Sequence, residues 1–240
     1  MTYKENINQY LNKHGFEAFN PKAVLFDMDG VLYDSMPHHV IAWHDSMEKY
    51  GIVMTEEDAY ATEGARGIDT IRLMVKKQKG MDISLDEAQR MYDLKSDLFH
   101  AMGDPAIFDG VIDFMQIIRQ KGMVIGVVTG SGQKPLIHRL LDDFGDYLDE
   151  CHIVTAYDVE KGKPNPDPYL MGLRKCGNLQ PWEGIVVENA PLGVRAGVAS
   201  RCFTIAVNSG PLSDEKLADA DIIFHRMTEL VDVFEKIVGE

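Results

Sequence analysis

Cysteine is scarce in this sequence. Three occur in 240 residues, at Cys151, Cys176 and Cys202, far apart and with no Cys-x-x-Cys pair. That argues against a disulfide framework or a zinc knuckle and suggests a reducing compartment. Long apolar runs are missing as well. Nowhere do about twenty apolar residues follow one another, so no helical membrane span is expected. Residues 1–20 are polar and mixed in charge, unlike a signal peptide. A cytoplasmic location is the expectation. Positive charge is in short supply: 24 Lys and Arg stand against 38 Asp and Glu, a formal net charge of −14. Such a surface repels nucleic acid and anionic lipid, so neither is expected as a partner. It also repels small anions, unless a cation and a few lysines reverse the field locally. Repeats and low-complexity segments are absent.

What is present is enough apolar material for a sizeable core, 45% of the residues. Five short runs rich in valine or isoleucine stand out, at 23–26, 124–128, 152–154, 185–187 and 203–207. Continuous apolar runs of this length predict strands buried on both faces. Helical patterns at 135–144, 166–176 and 192–199 separate the later runs, and a helix at 110–120 feeds the second. Strand–helix alternation predicts right-handed crossovers and a parallel sheet, an α/β fold.

The stretch between the first two runs differs. Met36, Val40, Trp43, Met47 and Tyr50 recur at spacings of four and three, one stripe of an amphipathic helix. Further helices are expected at 68–79 and 84–102, the latter opened by a capping box of Ser84 and Glu87. This block predicts an inserted α-helical domain. The expected boundaries are a Rossmann-like core of residues 1–34 and 108–240, and a helical cap of residues 35–107.

Open parallel sheets bind ligands at the carboxyl ends of their strands. There the sequence places Asp27-Met28-Asp29-Gly30, Thr129-Gly130-Ser131-Gly132, Gly162-Lys163-Pro164 and Glu188-Asn189. Asp27 and Asp29 point to one side if the backbone stays extended. They can then hold a divalent cation, or one can attack while the other moves protons. A polar strand end is the plainer reading of Asp-x-Asp alone. Thr129, Gly130 and Ser131 offer a hydroxyl and unobstructed N–H groups near a helix start, an anion cradle. A flexible turn would look the same. Lys163 is set in a segment stiffened by Pro164, Pro166 and Pro168, which suits a fixed grip on an anion better than a solvated surface charge does.

Taken together, these segments resemble the four ordered motifs of the haloacid dehalogenase superfamily. Val24-Leu25-Phe26-Asp27-Met28-Asp29-Gly30-Val31-Leu32 is similar to the first, and Thr129, Lys163 and Glu188-Asn189 fall at the others. The likeness is to phosphatases of the β-phosphoglucomutase-like group, and within it to pyrophosphatase-type members. It covers nearly the whole chain. It implies that Asp27 attacks phosphorus and forms an aspartyl phosphate, while Asp29 protonates the leaving group and then activates water. It implies that Thr129 and Lys163, with Gly130 and Ser131, hold the phosphoryl oxygens. It implies Mg²⁺ on Asp27, the Asp29 carbonyl and the Glu188-Asn189 pair. The second aspartate distinguishes a phosphatase from the dehalogenase branch.

Asn189 departs from the acidic residue that many members carry, which predicts a weaker metal site. His39, Glu63 and Lys95 fall where this group places substrate-side polar residues. His39 lies beside the apolar stripe of its helix, so a packed core histidine is an equal alternative. Lys95 also fits a solvated helix face. Glu63 would repel a distal phosphate and so disfavours a mutase. It is also an additional candidate for binding Mg²⁺. The expectation is a monomeric hydrolase for a small phosphorylated substrate, with inorganic pyrophosphate leading. A sugar-phosphate phosphatase, β-phosphoglucomutase and a non-catalytic receiver-like domain are the rivals.

Overall fold

The structure is a computed structural model that describes residues 2–131 and 134–239, with the side chains of Lys134 and Pro135 left aside. In chain order the elements are α1 (Tyr3–His14), β1 (Ala23–Phe26), α2 (Met36–Glu48), α3 (Glu56–Ala61), α4 (Gly67–Lys79), α5 (Leu85–Ala101) and α6 (Val111–Gln120). Then come β2 (Val124–Val128), α7 (Lys134–Phe144), β3 (Ile153–Val154), α8 (Asp167–Lys175), β4 (Gly184–Glu188) and α9 (Pro191–Ala199). The chain ends with β5 (Phe203–Val207), β6 (Ile222–Phe224), α10 (Met227–Val231) and α11 (Phe234–Val238).

The six strands form one parallel sheet in the order β3-β2-β1-β4-β5-β6. Alternate residues of β1 go to opposite faces. Val24 and Phe26 join a large cluster with Phe114, Leu140 and Phe234, while Ala23 and Leu25 join a second with Tyr169 and Leu173. Burial on both faces explains why the strands read as unbroken apolar runs. Strand order reverses between β1 and β4, and this opens a crevice at their carboxyl ends.

Helices α2 to α5 have a cluster of their own, built from Trp43, Met47, Ile52, Met54, Ile71, Met74 and Met91. Two linkers join this helical layer to the sheet, and they run side by side. Asp34 N–H donates to Ala106 O at 2.8 Å, and Phe108 N–H to Leu32 O at 3.0 Å. Among the described residues no helix is long and apolar enough to cross a membrane.

Several elements differ from expectation, among them the short helices α3, α10 and α11. Helix α1 is an added element, capped by a full box of Thr2 and Glu5, with Tyr10 edge-on to Phe203 at 5.2 Å. Strand β6 is added at the sheet edge. His152 belongs to a short 3₁₀ turn rather than to β3. At α5 the Ser84 side chain accepts from Glu87 N–H at 3.2 Å, which is the forward half of the expected box.

Candidate active site

Asp27 follows β1, the central strand, and its N–H donates to Val187 O of β4 at 2.9 Å. The backbone pairing therefore fixes the aspartate at the crevice. Its Oδ1 accepts from Lys163 Nζ at 2.5 Å. Its Oδ2 is buried with no partner. Burial pushes the Asp27 carboxyl well above its usual range. Lys163 pulls it down, and Glu188, Asp29 and Glu63 add to the rise.

Lys163 is placed differently from expectation. Its ammonium donates to Asp27 Oδ1, to Glu188 Oε1 at 2.6 Å and to Val128 O at 3.1 Å. Those three bonds use all its hydrogens. It therefore positions Asp27, and reaches an anion only through its charge or by giving up a bond. Burial alone would lower it, but Asp27 and Glu188 outweigh that and hold it above the ordinary lysine range.

Glu188 is also differently placed. Its Oε1 takes Lys163 and the Tyr169 hydroxyl, the latter at 2.6 Å. Its Oε2 takes the N–H groups of Asn189 and Ala190, at 3.0 and 3.2 Å. Both oxygens are engaged, and Glu188 anchors the lysine. Gly193 permits this, since a Cβ there would lie 1.8 Å from Glu188 Oε1.

Asn189 Oδ1, by contrast, is buried without a partner. Asp27 Oδ2 and Asn189 Oδ1 are thus two orphaned oxygen acceptors at the ends of adjacent strands. Buried polar atoms are rarely left so. Among the described residues, four carboxylates, on Asp27, Asp29, Glu63 and Glu188, meet two ammonium groups, on Lys95 and Lys163. Oxygen donors in an under-neutralised site fit a hard divalent cation. Among the described residues no three His, Cys, Asp or Glu side chains converge as a ready-made cage. Magnesium does not demand one, since it is commonly held by one or two carboxylates plus substrate oxygens. Gly30 makes room here. It has φ +81°, and a Cβ on it would sit 1.9 Å from Asn189 Nδ2.

Asp29 is buried near the first turn of α2. Its Oδ1 accepts from Ser35 Oγ at 2.7 Å. His39 Nε2 lies 3.1 Å from the same oxygen, though its N–H does not aim squarely at it. His39 Nδ1 is 2.5 Å from Lys95 Nζ. A protonated lysine must be the donor there, which assigns the ring proton to Nε2. Burial pushes Asp29 up, but His39, Ser35 and Lys95 together outweigh it, and its carboxyl lies below the usual range.

Lys95 is buried, not solvated, with its ammonium 5.0 Å from the ring centres of both Trp43 and Phe99. Burial lowers it to about 8, against the pull of Glu63 and Asp29. His39 is no plain core histidine either. It stacks on Phe99 at 4.3 Å and lines the same cavity as Asp27. Glu63 enters that cavity from the loop before α4, and burial raises its carboxyl.

Thr129 follows β2, with its N–H on Val154 O at 2.9 Å. Its Oγ1 accepts from Ser131 N–H at 3.0 Å, which leaves the hydroxyl hydrogen to give away. Gly130 is pressed from the helical side: a Cβ there would meet Gly64 O at 3.0 Å. Gly64 in turn packs on the Lys163 stem. Gly132, the fourth residue of this turn, lies outside the described residues. The cavity between these residues has a volume of about 50 Å³.

The structure thus brings together Asp27, Asp29, His39, Glu63, Lys95, Thr129, Gly130 and Ser131 around one cavity, with Lys163, Glu188 and Asn189 beneath it. The profile of the haloacid dehalogenase-like hydrolase family matches residues 21–201, a span that carries all four segments. The chain belongs to this family. The match sets aside a receiver-like domain. The chain is similar to hexitol phosphatase A of Escherichia coli K12, 32% identical over 87% of this chain and 93% of that one. It is similar to the β-phosphoglucomutase of Bacillus subtilis, 24% identical over 87% of this chain and 91% of that one. A solved structure from Bacteroides vulgatus, provisionally named a β-phosphoglucomutase, has a TM-score of 0.93 and 43% identity, over 98% of this chain and 96% of that one.

Sequence reasoning missed Ser35, Tyr169 and Gly193. Ser35 stands at the N-cap of α2, where a serine is unremarkable. Tyr169 and Gly193 lie inside helices, and only tertiary distance reveals their link to Glu188.

Proposed function

We propose that the protein is a magnesium-dependent phosphohydrolase that works through an aspartyl phosphate on Asp27. The observation that carries this reading is the Asp27 carboxylate itself. One of its oxygens is pinned by Lys163, and the other is buried and unpartnered, as is the Asn189 oxygen at the end of the adjacent strand. Asp27, Asn189 and the backbone carbonyl of Asp29 would hold the cation, with Glu63 a further candidate. Bound there, Mg²⁺ neutralises charge on the nucleophile and the phosphoryl group.

An Asp27 oxygen forms a bond to phosphorus as the bond to the leaving oxygen breaks, and Asp29 gives that oxygen its proton. Water then attacks phosphorus, Asp29 takes a proton from it, and the aspartyl bond breaks to release phosphate and restore Asp27. Held low, Asp29 is set for the basic half. A phosphate dianion beside it opposes that lowering and favours the protonated form for the acidic half. The Thr129 hydroxyl and the Gly130 N–H receive the phosphoryl oxygens, while the Ser131 N–H holds Thr129 Oγ1 in place. The helical layer serves as a cap that excludes water.

For the substrate, the names of the relatives point to phosphorylated carbohydrates, and we adopt a phosphorylated polyol or sugar as the first reading. A second reading, inorganic pyrophosphate, is favoured by the Glu63 carboxylate and the 50 Å³ of its cavity. Glu63 disfavours a mutase, which must hold a second phosphate. The test measures phosphate release from a hexitol phosphate, β-glucose 1-phosphate and pyrophosphate, with Mg²⁺ and with excess chelator. The reading expects metal-dependent release that falls by orders of magnitude in Asp27→Asn. Release unchanged in chelator or in Asp27→Asn overturns it. Glucose 6-phosphate appearing in place of free phosphate would make the protein a mutase.

A further inference from the structure

The 50 Å³ cavity at Asp27 has room for a few waters, far less than a sugar. It does not end there. Gly67, Tyr92, Ser96 and Gly130 line it and also line a second cleft of about 360 Å³. That outer volume is in the range of small-molecule sites. The two spaces therefore adjoin along these four residues, a small chamber at Asp27 and a wider cleft next to it.

The outer cleft has two sides of different origin. One is a face of α5. Gln89, Tyr92, Asp93 and Ser96 recur at i, i+3, i+4 and i+7, so they share one stripe of the helix. The opposite face carries Ala88, Met91, Lys95 and Phe99 into the interior. Surface helices are polar outside, so a polar stripe alone says little. This one, however, lines a cleft and contains an ordered pair, with Gln89 Nε2 on Asp93 Oδ1 at 2.7 Å. The other side is the loop after β3, with Ala156 and Tyr157. Tyr157 is 85% exposed. A large aromatic ring this open at the mouth of a cleft offers a flat apolar face with a polar tip.

We propose that this outer cleft is the subsite for the polyhydroxylated tail of the substrate. The amide and carboxylate of Gln89 and Asp93 would bond its hydroxyls, and the Tyr157 ring would pack on its C–H face. The inner chamber takes the phosphoryl end alone. This rests on the phosphohydrolase reading and narrows it to esters with a tail of several hydroxyls. Pyrophosphate would fill the inner chamber and leave the cleft unused. Tyr157, Gln89 and Asp93 are then specificity residues with no part in the chemistry.

The test is direct binding, so that it stands apart from turnover. Calorimetry with the full-length Asp27→Asn protein and Mg²⁺ compares a hexitol 6-phosphate with inorganic phosphate. The same is done with Tyr157→Ala and with Gln89→Ala added. The expected result is that the hexitol phosphate binds about tenfold tighter than phosphate. Each added change should erase most of that margin and leave the affinity for phosphate unaltered. No margin in the parent, or a margin that both changes leave intact, overturns the proposal. Equal weakening of both ligands also overturns it, because that marks a disturbed fold rather than a tail subsite. If the margin behaves as expected while the wild-type protein hydrolyses nothing, the phosphohydrolase reading falls and the cleft stands.

Discussion

Lys163 has three hydrogens to give, and the protein takes all three. The site is best understood as a chain of such commitments. Tyr169 and two backbone N–H groups fix Glu188, Glu188 fixes Lys163, and Lys163 fixes Asp27. Asn189 stands outside this chain with its oxygen unpartnered, so its loss should be felt through metal and not through the lysine. Asn189→Ala is expected to raise the Mg²⁺ concentration for half-maximal rate by about tenfold or more. Asn189→Asp should lower it, because a charge is added. A Mg²⁺ titration of both variants checks this, and equal curves for both would refute the assignment. Lys95 makes a prediction in pH. Its pKa is lowered to about 8, so the charge it presents to Glu63 and Asp29 disappears as pH rises through that value. An alkaline limb near pH 8 is expected in kcat/KM, and Lys95→Met should abolish it in a pH–rate profile. Stability runs the other way. Between about 8 and the usual lysine value of 10.5 the unfolded chain keeps a proton that the folded chain has released, so this group adds stability as pH rises.

Among elements, the linkers decide how the helical layer relates to the sheet. They are hydrogen-bonded to each other, and α7 grips both. Arg139 stacks on Tyr33 at 4.3 Å and bonds Pro105 O, while Tyr33 OH donates to Asp143 Oδ2 at 2.8 Å. Arg139→Ala removes a stacked, largely buried guanidinium, one bond to a backbone carbonyl and ion pairs to Asp143 and Asp104 at 3.2 and 3.3 Å. Equilibrium unfolding should show a loss of about 1–3 kcal/mol. If the linkers act as hinges, KM should rise with little change in affinity for Mg²⁺. The strands at 23–26, 124–128 and 203–207 were legible in the sequence because burial on both faces leaves no polar alternation to confuse. The motif residues were legible because each follows such a strand. Other elements were not read. Tyr3, Ile7, Tyr10 and Leu11 do carry a helical period, and Thr2 and Glu5 a capping box, but the polar remainder of α1 hid them. Strand β6 is three residues at an edge, too short for any period to show. The mutual contacts of Lys163, Glu188 and Tyr169 are hidden for a different reason: composition gives the charges, and only the fold shows which charges meet.

At the scale of the whole molecule, a chain of net charge −14 must admit an anion to a site that holds four carboxylates. Local arrangement has to reverse the global field, and the loop that carries Glu63 is part of that arrangement. The Glu63 loop packs on Gly130 and the Lys163 stem, and Arg66 Nη1 donates to Glu160 O at 3.1 Å. These contacts place Glu63 in the wall of the small inner chamber, with the outer cleft beside Tyr157. If Glu63 joins the cation, closure, metal and leaving group are coupled, and the smallest leaving groups depend on it most. Glu63→Ala should then lower kcat/KM for pyrophosphate and raise its Mg²⁺ requirement. A hexitol phosphate, with its tail held in the outer cleft, has binding energy independent of Glu63 and should lose less. The ratio of kcat/KM for the two substrates, in wild type and in Glu63→Ala, is the measurement. If the hexitol phosphate wins clearly in wild type and the substitution changes neither value, Glu63 is a closing contact only. Pyrophosphate then drops out as the second reading, while the attack by Asp27, which rests on the sheet edge and not on the loop, is untouched.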